Sequence, residues 1–491
     1  MVRRVMPDGM TRATEPPAPP PRTDLVAAAR IGGATLLLLA GSLALFWPGV
    51  ATYDGIAQFG QALAGQFEDW HPPIMARLWQ VLHGLFGGEA GPMLALQMTL
   101  YWTGFGLLAA TLARLGRRHA AVSVLGVSVL PLFLGWQSVV LKDTQMLGAM
   151  LAAAGIIAWW RLRGVRLPVS ALLAVGVLLA YATLVRSNAV FATVPLVVIL
   201  FGPARWWARA LLTLGGVVAV LGLSQAINHG VLGAGASGVE RTEAFYDLSA
   251  IAAQDPAHPV GLTPGEARTV VARNCVKPFF WDPLGTPDRC GPTLERLHGL
   301  SAGPLYRLLA EAIVRHPLAY AGHRLAHLNS TERWIVPAGW PSAIPPGVTE
   351  ANPVGLRSPG PAVPRWQMLA RWNAESPLGW PIAWLTLALA ALVVAVRRPQ
   401  APLRDFALAL LASAIVLEAS FSVLSIASDL RYHLWPMAAT ALATIVLWSE
   451  ARWSRQAVLG TGVALALVIL PGGVARLRLP APPTSYAAML R

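Results

Sequence analysis

IGGATLLLLAGSLALFWPGVATYDGIAQFGQALAGQFEDWHPP, residues 31–73, is the stretch whose reading decides the fold. It opens with an apolar run from about Ile31 to Trp47, which with the residues just before it is long enough to cross a bilayer as a helix. Asp54 stands where the chain leaves that segment, and the loop runs on to Glu68-Asp69-Trp70-His71-Pro72-Pro73. A carboxylate at the water-facing mouth of a membrane bundle needs a partner or a task, because burying it unpaired is costly. Asp54 is therefore the first candidate site residue.

Composition extends this local reading to the whole chain. Of 491 residues 55% are hydrophobic and only 13% charged, and the mean hydropathy is +0.53, so the expectation is an all-α polytopic membrane protein. Spans are predicted near 29–47, 91–113, 119–140, 143–160, 167–185, 188–202, 206–227, 378–396, 405–427, 432–449 and 456–472, about eleven helices. The net charge of +14 comes almost wholly from arginine, since Lys142 and Lys277 are the only lysines. That bias fits a GC-rich bacterial genome, and arginines placed between apolar segments are orientation signals, which argues against a nucleic-acid partner. Residues 1–28, rich in Pro and Arg, are expected to form a disordered cytoplasmic tail. Phe46-Trp47-Pro48 offers no small-residue cleavage site, so the first segment is expected to stay as an anchor.

The arginine clusters at 114–118, 161–166, 205–209, 397–404 and 452–455 alternate with the spans and are assigned to the cytoplasmic side of a bacterial inner membrane. The opposite, periplasmic side then receives the loop from Pro48 to Gly91, the Lys142-Asp143 junction, Arg186-Ser187-Asn188, a long segment over 228–377, and Asp429 with Arg431. The tail at 473–491, with Arg476 and Arg478, would also lie outside, against the charge rule. In the first loop Ile56, Phe59, Leu63 and Phe67, and then Ile74, Leu78, Val81, Leu82 and Leu85, recur at helical spacing. These stretches, within 55–86, are too short to span and suit helices in the interface plane, with Trp70, Trp79 and Trp102 as markers of its level.

Asp54 after the first helix, two interfacial helices around His71-Pro72-Pro73, Gly87-Gly88, a helix pair joined by Arg114–Arg118, and Lys142-Asp143 opening the next helix together resemble the N-terminal half of GT-C glycosyltransferases. The resemblance covers roughly residues 45–200 and points to the branch of lipid A aminoarabinose transferases and protein mannosyltransferase-like enzymes. It implies a GT-C-like module over 29–227, a polyprenyl-phosphate-linked sugar donor and an extracytoplasmic acceptor. It also implies that Asp54 is a base or acceptor-positioning group, with Asp143 as the second acidic residue. Two features depart from the pattern: Asp54 is single, flanked by Tyr53 and Gly55, and the soluble insertion at 228–377 lies between helices seven and eight, ahead of the C-terminal helices at 378–472.

The chemistry of such a transfer asks for a base near the acceptor hydroxyl and for cations at the departing phosphate. Lys142, Arg77, Arg186 and Arg431 are the candidate phosphate ligands, with His71 beside them. Asp54, Glu68, Asp69, His71 and Asp143 form a set able to hold a divalent ion, with Asp69 and His71 as the leading candidates, although no zinc spacing is present. Glu418, inside an apolar segment, is either a functional carboxylate or one that makes a structural hydrogen bond to a neighbouring helix. In the insertion Cys275 and Cys290 are expected to pair in an oxidising compartment, and His316, His323, Arg324, His327, Glu332 and Arg333 form a cluster that either lines an acceptor site or is a solvated helix face. An O-antigen polymerase or ligase and a lipid or solute transporter are the alternative readings.

Overall fold

The computed structural model describes residues 22–491. Most of the cytoplasmic tail expected at 1–28 lies outside that range. The chain is all-α, and the described residues contain isolated bridges but no sheet. The N-terminal half comprises α1 (Arg22–Phe46), α2 (Tyr53–Ala64), α3 (Ile74–Phe86), α4 (Gly91–Arg114), α5 (Arg118–Ser128), α6 (Pro131–Gln137), α7 (Lys142–Arg161), α8 (Val169–Val185), α9 (Val190–Phe201) and α10 (Trp206–Ala226). The insertion contributes α11 (Thr242–Gln254), α12 (Pro264–Ala272), two single turns α13 (Asp282–Gly285) and α14 (Glu295–His298), α15 (Ala302–Arg315), α16 (Pro317–Thr331) and α17 (Ala362–Glu375). The chain closes with α18 (Pro381–Val396), α19 (Pro402–Leu424), α20 (Leu434–Glu450), α21 (Arg455–Arg478) and the short α22 (Tyr486–Met489).

Each predicted span falls on a helix, but they are not eleven equivalent crossings. Among the described residues five helices are long and apolar enough to cross a membrane by length and composition: Leu25–Phe46, Gly91–Arg114, Trp206–Val231, Pro402–Leu424 and Arg455–Arg478. The span expected over 119–140 is a pair, α5 and α6, bent by 55°. Pro131 causes the break, since it has no N–H to donate and its ring opposes continuation of α5. The freed α6 buries every residue from Leu132 to Gln137. It packs under α17, where Gln367 donates to the Gly135 carbonyl at 3.1 Å.

Glycine sets how closely the central helices approach. A Cβ placed on Gly104 of α4 would lie 2.3 Å from the Leu151 carbonyl carbon of α7, and one on Gly155 would lie 2.7 Å from the Gly104 oxygen. These helices therefore meet backbone to backbone, as small residues allow in bilayers where dispersion packing replaces the hydrophobic drive. Around them Met93, Met98, Phe105, Leu147 and Met150 are buried in one continuous core.

The loop helices form where expected, with a different face inward. α2 ends at Gly65 with φ +66° and α3 at Gly87 with φ +62°, both left-handed positions that suit glycine. Phe59 and Trp79 stack between the two, centroids 5.1 Å apart, while Val81, Leu85 and Phe86 point outward. Trp79 and Trp102 are not interface markers: both are fully buried, donating to the Glu89 carbonyl at 3.0 Å and the Ser42 hydroxyl at 3.1 Å. An indole buried with its N–H satisfied is core, whatever its hydropathy suggests.

The insertion is two structures in one. Residues 244–312 build a separate small core from Tyr246, Leu248, Ile251, Leu284, Leu297, Leu305 and Leu309. In it Cys275 and Cys290 are joined as a disulfide, Cα atoms 5.9 Å apart. The remainder, through α17, packs on the bundle, with Trp366 edge-on to Phe46 at 5.8 Å. The C-terminal tail returns to the small domain, where Tyr486 donates to Asp282 at 2.9 Å and Arg289 to the Leu490 carbonyl at 3.0 Å. Arg476, which defied the charge rule, is held by the Arg333 and Trp334 carbonyls and lies 3.7 Å over the Trp380 ring.

Gly104→Ala should destabilise the protein by about 1–3 kcal/mol because the added methyl has only backbone to displace. Gly126→Ala, in α5 with nothing within 4 Å of the new Cβ, should be neutral or stabilising by up to about 1 kcal/mol. Thermal unfolding in detergent checks both. Breaking the disulfide with Cys275→Ser should cost roughly 3 kcal/mol, read as a lower unfolding midpoint that matches that of reduced wild type.

Candidate functional site

The position of Asp54 is fixed by backbone before any side chain acts. Val50 donates to the Ser138 carbonyl at 3.0 Å, and Val140 donates back to the Val50 carbonyl at 2.8 Å. This bridge ties the entry to α2 directly to the entry to α7. The approach is so close that a Cβ on Gly55 would lie 2.7 Å from the Val140 oxygen. Glycine after Asp54 is thus a packing requirement, and it leaves no room at 55 for a second carboxylate. Beneath α7, buried Gln97 donates to the carbonyls of Gln137 and Val139 at 2.6 and 3.1 Å and accepts from Gln145 at 3.0 Å, which holds the turn before Lys142.

The bridge sets Asp54 next to Lys142 and Asp143, and a third element completes the group. The turn Leu430–His433 between α19 and α20 carries Arg431 inward. Its guanidinium lies 3.0 Å from Asp54, 3.5 Å from Asp143 and 2.9 Å from Asp429. Arg186 pairs with Asp143, donates to Asn188 at 2.8 Å, and lies 4.0 Å from the centroid of Tyr432. His71 Nδ1 is 2.8 Å from the Lys142 ammonium, and its Nε2 faces Asp54 at 3.7 Å, beyond hydrogen-bond reach. An ammonium can only donate, so Nδ1 accepts and the ring proton sits on Nε2, toward Asp54.

These groups are shielded but not sealed. Asp54 keeps 15% of its side chain exposed and Arg431 14%, whereas Asp143 keeps 1%. Burial by itself would raise the Asp54 pKa, yet the charges of Arg431 and Lys142 hold it well below the usual carboxylate range. Burial and the Lys142 charge push His71 down to about 3, against a smaller upward pull from Asp54, so the ring is neutral. Three cations, Lys142, Arg186 and Arg431, balance three carboxylates, Asp54, Asp143 and Asp429. Each of the three carboxylates has a guanidinium nitrogen within 3.5 Å.

Of the residues singled out in the sequence, Asp54, His71, Lys142, Asp143, Arg186 and Arg431 converge. Arg77 does not: its guanidinium donates to the Leu232 carbonyl at 3.0 and 2.7 Å and stacks 3.8 Å over Phe67, fastening α3 to the start of the insertion. Asp69 is likewise turned away, accepting from the Ser237 amide and hydroxyl at 2.7 and 2.6 Å with His229 at 3.4 Å. Asp69 and His71 thus serve separate contacts and do not form a shared metal site. The 316–333 cluster is neither acceptor wall nor solvated face for the most part. His323 and Arg324 pair with Asp247 at 3.1 and 2.5 Å, and His327 meets the Pro278 carbonyl at 2.8 Å, all buried inside the small domain. Tyr432 was hidden within a predicted span, and only the tight turn that precedes α20 brings it against Arg186 at the site.

Comparison with known proteins follows the same lines. The family described as dolichyl-phosphate-mannose-protein mannosyltransferase matches residues 70–227, a stretch that holds His71, Lys142, Asp143 and Arg186. No curated protein matches the chain. Among solved structures it is similar to the archaeal oligosaccharyltransferase AglB from Archaeoglobus fulgidus, determined in complex with an inhibitory peptide and a dolichol-phosphate. The identity is 14% and the TM-score 0.35, over 92% of this chain and 55% of that one, so this chain spans about half the length of that protein. Over residues 70–227 the chain is thus similar to the dolichyl-phosphate-mannose-protein mannosyltransferase family of membrane glycosyltransferases.

Proposed function

We propose that the protein transfers a sugar from a polyprenyl-phosphate carrier to a hydroxyl of an extracytoplasmic lipid, polysaccharide or protein, with Asp54 as the group that orients the acceptor and receives its proton. The observation that carries this reading is the single carboxylate of Asp54, partly exposed and 3.0 Å from Arg431, in a cluster that also holds Lys142 and Arg186. A base and phosphate-binding cations within one small group are what transfer from a lipid phosphate requires.

The charge balance suggests an order of events. As long as Arg431 and Lys142 neutralise it, Asp54 is ionised but weakly basic, a poor proton acceptor. A donor phosphate competes for the same cations, and guanidinium groups bind phosphate in a bidentate way. Once Arg431 turns part of its charge to the phosphate, Asp54 becomes more basic and can hold the acceptor O–H. The acceptor oxygen then bonds to the anomeric carbon as the bond from that carbon to the phosphate oxygen breaks. The proton goes to Asp54, and polyprenyl phosphate leaves against Arg431, Arg186 and Lys142. Neutral His71, with its Nε2 proton aimed at Asp54 and its Nδ1 on Lys142, keeps the two in register.

Asp54→Asn, assayed in membranes with radiolabelled lipid-linked sugar, should lower transfer by about 100-fold or more at normal abundance. Wild-type transfer by that variant would remove Asp54 from the chemistry. Arg431→Lys keeps the charge but loses the fork, and should leave the fold intact while weakening donor binding, seen as a raised donor KM. His71 supplies a pH signature. The unfolded chain takes up a proton near 6.5 that the folded ring refuses until about 3. Its contribution to stability is therefore complete above 6.5 and declines as pH falls, by at most about 1.4 kcal/mol per pH unit. His71→Gln should show a shallower loss of unfolding midpoint between pH 6.5 and 4 than wild type.

A further inference from the structure

A second group of ionisable side chains gathers where the end of α16, α19 and the Leu430–His433 turn meet. Glu332 follows the C-terminus of α16, Glu418 lies within α19, and His433 opens α20. One ligand atom from each falls within 4.8 Å of the others. All three are buried, at 2%, 2% and 0% exposure. Glu418 accepts from or shares a proton with His433 Nδ1 at 2.7 Å. Beyond that bond, both Glu332 carboxylate oxygens, Glu418 Oε1 and His433 Nε2 have no hydrogen-bond partner.

Among the described residues no Lys or Arg pairs with Glu332 or Glu418. Arg333, the nearest in sequence, turns away to donate to the Trp340 and Pro341 carbonyls at 3.1 Å each and to approach Glu375 at 3.9 Å. Among the described residues Glu418 has no ionic partner but His433, and Glu332 has none. Two buried carboxylates with orphaned oxygens cost several kcal/mol each unless something positive joins them. The groups come from three separate elements, so their convergence is a product of the fold and not of one helix face.

We propose that Glu332, Glu418 and His433 bind one divalent transition-metal ion of the zinc class. Two carboxylates and a neutral imidazole carry two negative charges, which a single divalent ion cancels. The mixed oxygen and nitrogen donors suit zinc, whereas magnesium and calcium favour all-oxygen sets with more ligands. The ion would fasten the end of α16 to α19 and to the turn two residues beyond Arg431. Hydrogen bonds from Ser330 and Thr331 to the Ser428 hydroxyl, at 2.8 and 3.2 Å, mark the same junction. Its role is to position Arg431, not to touch the reacting atoms, and whether the ion binds can be read without assaying transfer.

The test uses the full chain in detergent micelles, stripped with a chelator, dialysed, and titrated with Zn2+ alone. Elemental analysis reads stoichiometry, competition with a chromophoric chelator reads affinity, and thermal unfolding reads stabilisation. About one zinc per wild-type chain is expected, with a higher unfolding midpoint on zinc addition. His433→Ala and Glu332→Gln should each weaken zinc binding by about 100-fold or more, while Asp54→Asn binds as wild type. Folded wild type that takes up no zinc would overturn the proposal, leaving a proton shared between the glutamates. So would loss of zinc in Asp54→Asn with retention in His433→Ala, which would assign the ion to the first loop. If His433→Ala does not fold, Glu332→Gln and the stripped wild type decide the matter.

Discussion

One guanidinium, that of Arg431, holds the upper end of the molecule together. It meets Asp54 from the first loop, Asp143 from the start of α7 and Asp429 from its own turn. Three carboxylates cannot lie this close in a shielded place without a cation among them. The planar fork of arginine is the side chain that can satisfy several at fixed angles. The α19–α20 turn must therefore reach across the bundle to the N-terminal module, and the long insertion is shaped around that reach. Trp281 donates to the Ile426 carbonyl at 3.0 Å, Leu430 to the Ser342 carbonyl at 3.1 Å, and Glu350 to the Ala51 carbonyl at 3.0 Å. The insertion thus straps the turn and the Asp54 loop to each other.

Balanced charge gives this site a particular character. A cluster with excess positive charge would bind any phosphate and hold it. With three cations matched by three carboxylates, an incoming anion has to compete with Asp54 for Arg431 and Lys142. On the reading proposed above, donor binding and activation of Asp54 are then the same event. The neutral state of His71 fits this arrangement, because a protonated imidazole between Lys142 and Asp54 would add a fourth cation and keep the carboxylate quenched.

Much of this was legible in the sequence. Each apolar run fell on helix, and the alternation of arginines led to the expectation that Asp54, Lys142, Asp143, Arg186 and Arg431 share one side. Chemistry then picked those residues out because charges near lipid need partners. Arg77 shows where that logic stops: it shares the side and the charge, but the rotation of α3 turns it to a carbonyl of the insertion. Trp79 and Trp102 fail for the same reason, since aromatic content does not say which face of a helix is inward. The kink at Pro131 was foreshadowed by proline itself, yet the hydropathy of 119–140 is continuous and concealed it.

The sequence by itself determined the class, an all-helical membrane protein, and singled out most of the charges that converge at the site. These follow from local quantities: apolar run length, proline and glycine positions, and charge beside each run. Tertiary structure alone decided which charges meet. Asp54 and Arg431 are paired through the Val50–Val140 bridge and the α19–α20 turn, and Glu332, Glu418 and His433 converge through three elements far apart in the chain. Distance between such residues depends on helix rotation and packing to within an ångström, and no local pattern in the chain encodes it.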